Sequence, residues 1–287
     1  MRLLLLSLLF VGSCAWATAC DGRFQSSAID VAPQNGNIVL IPVFSDVHGR
    51  VETLLKSVSN LQNKMNTVFP VVLITGDLGT EDARFNTYLQ NPTVYERYYE
   101  QAREPLRLNT KFYFVRGNHE DQAWLKQLAD SKHAIVPVDP WSTFNYLADG
   151  NTIKLHSANG RDLRVAVLGG IHPDSRPGSV ERDQLIAFDQ EALTRLLGTE
   201  HVDLLLTHQG PDGTIGGHPD IRALVEVLSP RLHLHGHADR SEGPIQIGRS
   251  VSQCVPKLFS PFDPNRTDDF VILAWDTDTN EISLVPE

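Results

Sequence analysis

The stretch Ile38-Val39-Leu40-Ile41-Pro42-Val43-Phe44-Ser45-Asp46-Val47-His48 decides the fold, because an apolar run leads directly into an acid and an imidazole. A run this short, rich in β-branched residues, reads as a buried strand. The same signature recurs along the chain. Val71 to Thr75 is followed by Gly76-Asp77, Phe112 to Val115 by Gly117-Asn118-His119-Glu120, Val202 to Thr207 by His208, and Leu232 to His235 by Gly236-His237. Leu163 to Leu168 and Val271 to Trp275 are further strand-like runs without such an ending. Helical periods separate them: Val51, Leu54, Leu55, Val58 and Leu61, then Leu185, Phe188, Ala192, Leu193 and Leu196, with Gly198 as a stop. Alternating strands and helices predict α/β layers. The tail from Ile245 to Val285 reads as antiparallel strands joined by turns, finishing a second sheet.

Sites in open α/β sheets form outside the carboxyl ends of strands, so five such ends can converge on one place. Asp46 and His48 are two apart, which in an extended chain puts both side chains on the same side. Gly76 and Gly117 let the backbone turn as each strand ends, freeing the next side chain to face the site. Asp77 has two oxygens and can bridge two ions, Asn118 offers a neutral carbonyl, and His208 and His237 offer imidazole nitrogens. Oxygen and imidazole donors without thiolates suit two metal ions, divalent or trivalent, drawn from Mn, Fe or Zn. Two divalent ions would outweigh the charge of Asp46 and Asp77 and leave a centre that attracts phosphate. Such pairs activate water and clamp phosphoryl oxygens, so hydrolysis of phosphoesters is the expected chemistry.

The ordered set Asp-x-His, Gly-Asp, Gly-Asn-His-Glu, a lone His and Gly-His, running from Asp46 to Asp239, resembles the calcineurin-like metallophosphoesterases. The resemblance implies a two-sheet β-sandwich flanked by helices, with a dinuclear centre. It also implies that Asp46, His48 and Asp77 hold one metal, that Asp77, Asn118, His208 and His237 hold the other, and that His119 is the acid near the leaving group. The implied reaction is attack on phosphate mono- or diesters by a metal-bridging hydroxide, with Asn118 also stabilising the phosphoryl charge. Two departures from the family pattern matter. The last motif, usually Gly-His-x-His, is here Gly236-His237-Ala238-Asp239, so Asp239 either replaces an imidazole at the first metal or misses the site. The protein phosphatase branch follows Gly-Asp with Asp-Arg-Gly, whereas Gly76-Asp77 runs into Leu78-Gly79-Thr80-Glu81, so the substrate-holding arginine is absent there. Arg50 and Arg116 are candidate phosphate contacts in its place, with solvated arginine as the plainer reading. Asp82, Glu120 and Asp121 are candidates to orient His119. A metal- or phosphate-ligand-binding module of the same fold that has lost turnover is the alternative, and the presence of His119 argues against it.

The 287 residues, 41% hydrophobic and 21% charged, are ordinary globular usage, which excludes a multi-span membrane protein and wholesale disorder. Thirty-five acids against 25 bases give a net charge of -10, which disfavours binding to long nucleic acids and leaves a small phosphoester as the expected substrate. Residues 1–19 read as a signal peptide with Leu3 to Val11 as its apolar run, 20–36 as a polar tether and 37–287 as the catalytic domain. A secreted or periplasmic protein without a membrane span after signal removal follows, a lipid anchor at Cys14 being a weaker reading. Cys20 and Cys254 would then lie in an oxidising compartment, either paired or unrelated. Asn265-Arg266-Thr267 matches a glycosylation sequon. His133, His156, His172, His201, His218 and His233 lack strand-end motifs and read as surface or packing residues, with His235 as core or as support for the ligands. Trp141, Phe144 and Tyr146 sit in an apparent loop and read chiefly as packing. Nothing in the sequence assigns an oligomeric state.

Overall fold

The computed structural model describes residues 27–90, 110–129, 133–173, 184–238, 242–258 and 269–285. The signal, Cys14, Cys20, Asp239 and the sequon all lie outside these residues. Two seven-stranded mixed sheets pack face to face, with helices on both outer faces. This is the expected α/β sandwich.

The first sheet is ordered β14-β13-β2-β3-β4-β6-β5. Its centre is the parallel set β2 (Ile38–Phe44), β3 (Val71–Ile74) and β4 (Lys111–Phe114). Parallel β6 (Phe144–Leu147) and antiparallel β5 (Ile135–Pro137) close one edge. Antiparallel β13 (Val271–Asp276) and β14 (Glu281–Val285) close the other. The second sheet is ordered β1-β7-β8-β9-β10-β12-β11 and contains β1 (Ala28–Val31), β7 (Asn151–Ser157), β8 (Asp162–Leu168), β9 (Leu204–Thr207), β10 (Leu232–His235), β11 (Ile245–Ile247) and β12 (Ser250–Cys254).

Alternation along the strands sets the layers. Val39, Ile41, Val43, Val71 and Leu73 meet Val165, Val167, Leu204, Leu206 and Leu234 between the sheets. The intervening residues Phe44, Val72, Ile74, Phe112 and Phe114 face outward under helices α1 (Val51–Met65), α2 (Ala83–Gln90) and α3 (Gln122–Leu128). On the opposite outer face Ala166, Leu168 and Leu205 lie under α4 (Gln190–Leu197) and α5 (Pro219–Leu228). Both faces of the central strands are covered, which is why they read as continuous apolar runs rather than alternating ones.

Four details differ from expectation. The region expected to be a tether contains β1, which pairs in parallel with β7 at the edge of the second sheet. The tail divides between both sheets, and β12 runs parallel to β10. α4 begins later than its apolar period, because the Asp189 carboxylate accepts from Glu191 N and Ala192 N and caps the helix there. Phe144 and Tyr146 belong to a strand and are buried, whereas Trp141 is exposed. Cys254 is a buried thiol at the end of β12, and its pairing with Cys20 falls outside the described residues. No helix among the described residues is long and apolar enough to cross a membrane.

Candidate metal centre

The residues after β2, β3, β4, β9 and β10 meet at one end of the sandwich. Asp46 and His48 come close together for a different reason from the extended-chain one. Their φ angles are +52° and +49°, so both lie in the left-handed region, as does Asp77 at +53°. Non-glycine residues rarely adopt this conformation, and such strain is found where the surrounding structure enforces it. Here the enforcement is a ladder of backbone bonds between neighbouring loops: Asp46 N to Gly76 O at 3.0 Å, His48 N to Asp77 O at 2.8 Å and Gly49 N to Leu78 O at 2.8 Å.

Asp46 is fully buried, and its Oδ2 accepts from Ser45 Oγ at 2.6 Å and His237 N at 3.1 Å. Its Oδ1 is buried and accepts no hydrogen bond. His48 Nε2 lies 3.6 Å from that oxygen and 3.8 Å from Asp77 Oδ2. Asp77 Oδ1 accepts from His119 N at 2.8 Å, and its Oδ2 lies 3.4 Å from His208 Nε2. His208 Nδ1 is 2.8 Å from Thr75 O. The imidazole therefore donates from Nδ1 to that carbonyl, which turns Nε2 toward Asp77 and to 3.3 Å from Asn118 Oδ1; although burial works against its charged form, Asp77 and Asp46 push the group up to about 9. The His237 ring stands edge-on to that of His208 with centroids 5.0 Å apart.

Burial would raise the Asp46 carboxyl, but the His48 imidazole, His208 and Lys257 outweigh it and hold the group at about 2, against the repulsion of Asp77. Asp77 is likewise buried, yet His208 with His48 and His119 drives it far below the ordinary carboxylate range. Both acids therefore present anionic oxygens.

Two overlapping groups of donor atoms result: His48, Asp77 and His119 in one, Asp77, His208 and His237 in the other, each with its atoms within 4.8 Å of one another. Asp77 belongs to both. A buried carboxylate oxygen without a hydrogen bond at Asp46, an imidazole poised by a carbonyl at His208 and an all-oxygen-and-nitrogen donor set fit hard or borderline cations.

Several neighbours serve the loops instead. Glu120 is buried, accepts from Gly117 N at 2.6 Å and Gly79 N at 3.3 Å, and is pushed up to about 8 by burial and by Asp77. Asp121 caps α3 by accepting from Trp124 N, and the Asp82 carboxylate accepts from Phe85 N. His119 Nδ1 instead meets Glu81 Oε1, a partner 38 positions away that no local motif marks. Arg116 does not present itself as the expected phosphate contact: its guanidinium donates to Asp149 Oδ2 at 2.5 Å, Gln122 Oε1 at 3.0 Å and Ala187 O at 2.7 Å. Arg50 is exposed at the N-cap of α1, two residues after His48. His233 is a satisfied core residue, bonded to Thr207 Oγ1 and Ser252 Oγ, and burial lowers it well below the usual histidine value. His235 is buried beside it and lowered to about 4 for the same reason. His172 and His218 stack with centroids 3.9 Å apart in the loops after β8 and β9.

The family model described as calcineurin-like phosphoesterase matches residues 40–239. The chain belongs to that family. Solved structures agree with this calcineurin-like phosphoesterase in fold. TT1561 of Thermus thermophilus is 16% identical with a TM-score of 0.54, over 86% of this chain and 98% of that one. A dimetal phosphatase from Danio rerio is 12% identical with a TM-score of 0.50, over 83% and 93%. GAP50, described as the anchor in the inner membrane complex of Plasmodium, is 11% identical with a TM-score of 0.51, over 87% and 84%. No curated protein matched the chain.

Proposed function

We propose that this calcineurin-like phosphoesterase is an exported, metal-dependent hydrolase of small phosphate mono- or diesters. The observation that carries the reading is the pair of donor groups sharing Asp77, one of which includes His119. Asp46, His48 and Asp77 would hold one ion, and Asp77, Asn118, His208 and His237 the other, Mn, Fe or Zn fitting the donors. When bound, such a pair polarises phosphoryl oxygens and supplies a water nucleophile at neutral pH.

The chain's own residues then do three things. Thr75 O and the Asp77 carboxylate keep His208 Nε2 in place. Asn118 Nδ2, buried without a hydrogen-bond partner, is a donor for a phosphoryl oxygen. In its protonated form His119 donates from Nδ1 to Glu81, which aims the second N–H, at Nε2, at the departing ester oxygen. Export, to a secreted or periplasmic destination, rests on the leader-like residues 1–19. Asp239 follows His237 by two residues and is proposed as a further ligand of the first ion.

The decisive experiment is hydrolysis of p-nitrophenyl phosphate and its bis ester with added Mn, with and without chelator. Turnover that the chelator abolishes is expected, and metal-replete protein inert on both substrates would overturn the reading in favour of a binding module of this fold. His119→Ala should retain its metals and lose about 10²–10⁴-fold in kcat on esters with poor leaving groups, and much less on nitrophenyl esters.

A further inference from the structure

Asp46 meets a positive group from late in the sequence. Its Oδ2 is satisfied by Ser45 and His237, whereas Oδ1, which accepts no hydrogen bond, lies 3.3 Å from Lys257 Nζ, nearer than His48 Nε2 at 3.6 Å. Lys257 is held in place by its backbone. Its residue is bridged in parallel to Ser45, the next residue donates from Leu258 N to Ser45 O at 2.9 Å, and the Leu258 side chain is buried with Phe44 and Val47 beneath the site. The lysine side chain itself is only 18% exposed.

The two carboxylates of the proposed first metal position, Asp46 and Asp77, thus differ in one respect. The charged groups that act on Asp77 are the imidazoles of His208, His48 and His119. At Asp46 an ammonium already stands at the carboxylate oxygen that a cation would use. An ammonium has three donors and no lone pair, so it cannot act as a ligand. It competes for Oδ1 and repels a divalent ion placed there.

We propose that Lys257 is a built-in competitor at the metal position formed by Asp46, His48 and Asp77, so that the two positions fill at different metal concentrations, the one at Asp77, His208 and His237 first. The inference rests on the dinuclear reading above. It makes occupancy of the first position, and with it the rate, responsive to metal supply, while Asp46 keeps a neutralising partner when that position is unfilled.

The test is calorimetric titration of Mn(II) into the chelator-stripped full chain. Wild type is expected to bind one ion tightly and a second about ten-fold or more weakly. Lys257→Met should tighten the weak step by about ten-fold or more and leave the tight step unchanged, whereas Lys257→Arg should preserve the spread. Lys257→Gln replaces the Met variant if thermal melting shows that the latter does not fold. Equal affinities in wild type, or a weak step that neither neutral variant moves, overturn the proposal while leaving two ions bound. Absence of any Mn binding in wild type removes the dinuclear reading itself, and this inference with it.

Discussion

The two sheets bring unlike chemistry to the same place. The sheet containing β2, β3 and β4 contributes both carboxylates, the amide of Asn118 and the imidazoles of His48 and His119, on loops that twist Asp46, His48 and Asp77 into left-handed conformations. Among the described residues the sheet containing β9 and β10 contributes His208 and His237. His208 is oriented across the sandwich by Thr75 O, and the backbone of His237 reaches Asp46 Oδ2. The group of His48, Asp77 and His119 comes from the first sheet alone, whereas the group of Asp77, His208 and His237 needs both sheets. Among the described residues the first sheet supplies both carboxylates with two imidazoles, the second supplies imidazoles alone, and bonds between the sheets hold the two in register.

That contrast can be broken at its shared atom. Asp77→Asn should lose about a hundred-fold or more in Mn affinity at both positions, with hydrolysis falling alongside, because both donor groups contain this carboxylate. Loss confined to one ion, read by titration, would mean that the halves are independent. His208→Ala should be smaller and one-sided: about ten-fold or more in affinity for the second ion, with the first ion retained.

Stability probes sharpen the same comparison at the joint. Gly76 has φ +104°, and a Cβ there would lie 2.3 Å from His208 Nδ1. Gly76→Ala should cost about 1–3 kcal/mol and lower the melting temperature by several degrees, whereas an unchanged melting curve would show that the loops yield freely. Ser45→Ala removes the hydroxyl donor to Asp46 Oδ2 and is the mildest change, at about 1 kcal/mol, with Mn affinity shifted less than by His208→Ala.

The strands that matter most for the site were legible because they are covered on both faces. β2, β3, β4, β9 and β10 each coincide with an apolar run whose end carries a motif. β7 was not legible, since Ile153 and Leu155 alternate with half-exposed Thr152, Lys154 and His156 and leave no continuous run. β1 escaped notice because four residues at a sheet edge bury only Ile29 and Val31. Within the site, residue type and order foretold the donors, but not their conformation or their supports. Arg116 follows a strand and adjoins Gly117, yet its partner Asp149 lies 33 positions away. Glu81 is 38 positions from His119, beyond what local spacing reveals. Lys257 carries no motif, and only the bridge to Ser45 brings it near Asp46.

The bond from His237 to Asp46 spans 191 positions. A polypeptide still emerging from the ribosome therefore carries His48, Asp77 and His119 without His208 and His237, the imidazoles that close the second donor group. Contacts so distant are slow to form. The second donor group is thus complete only in a chain that has already folded back on itself.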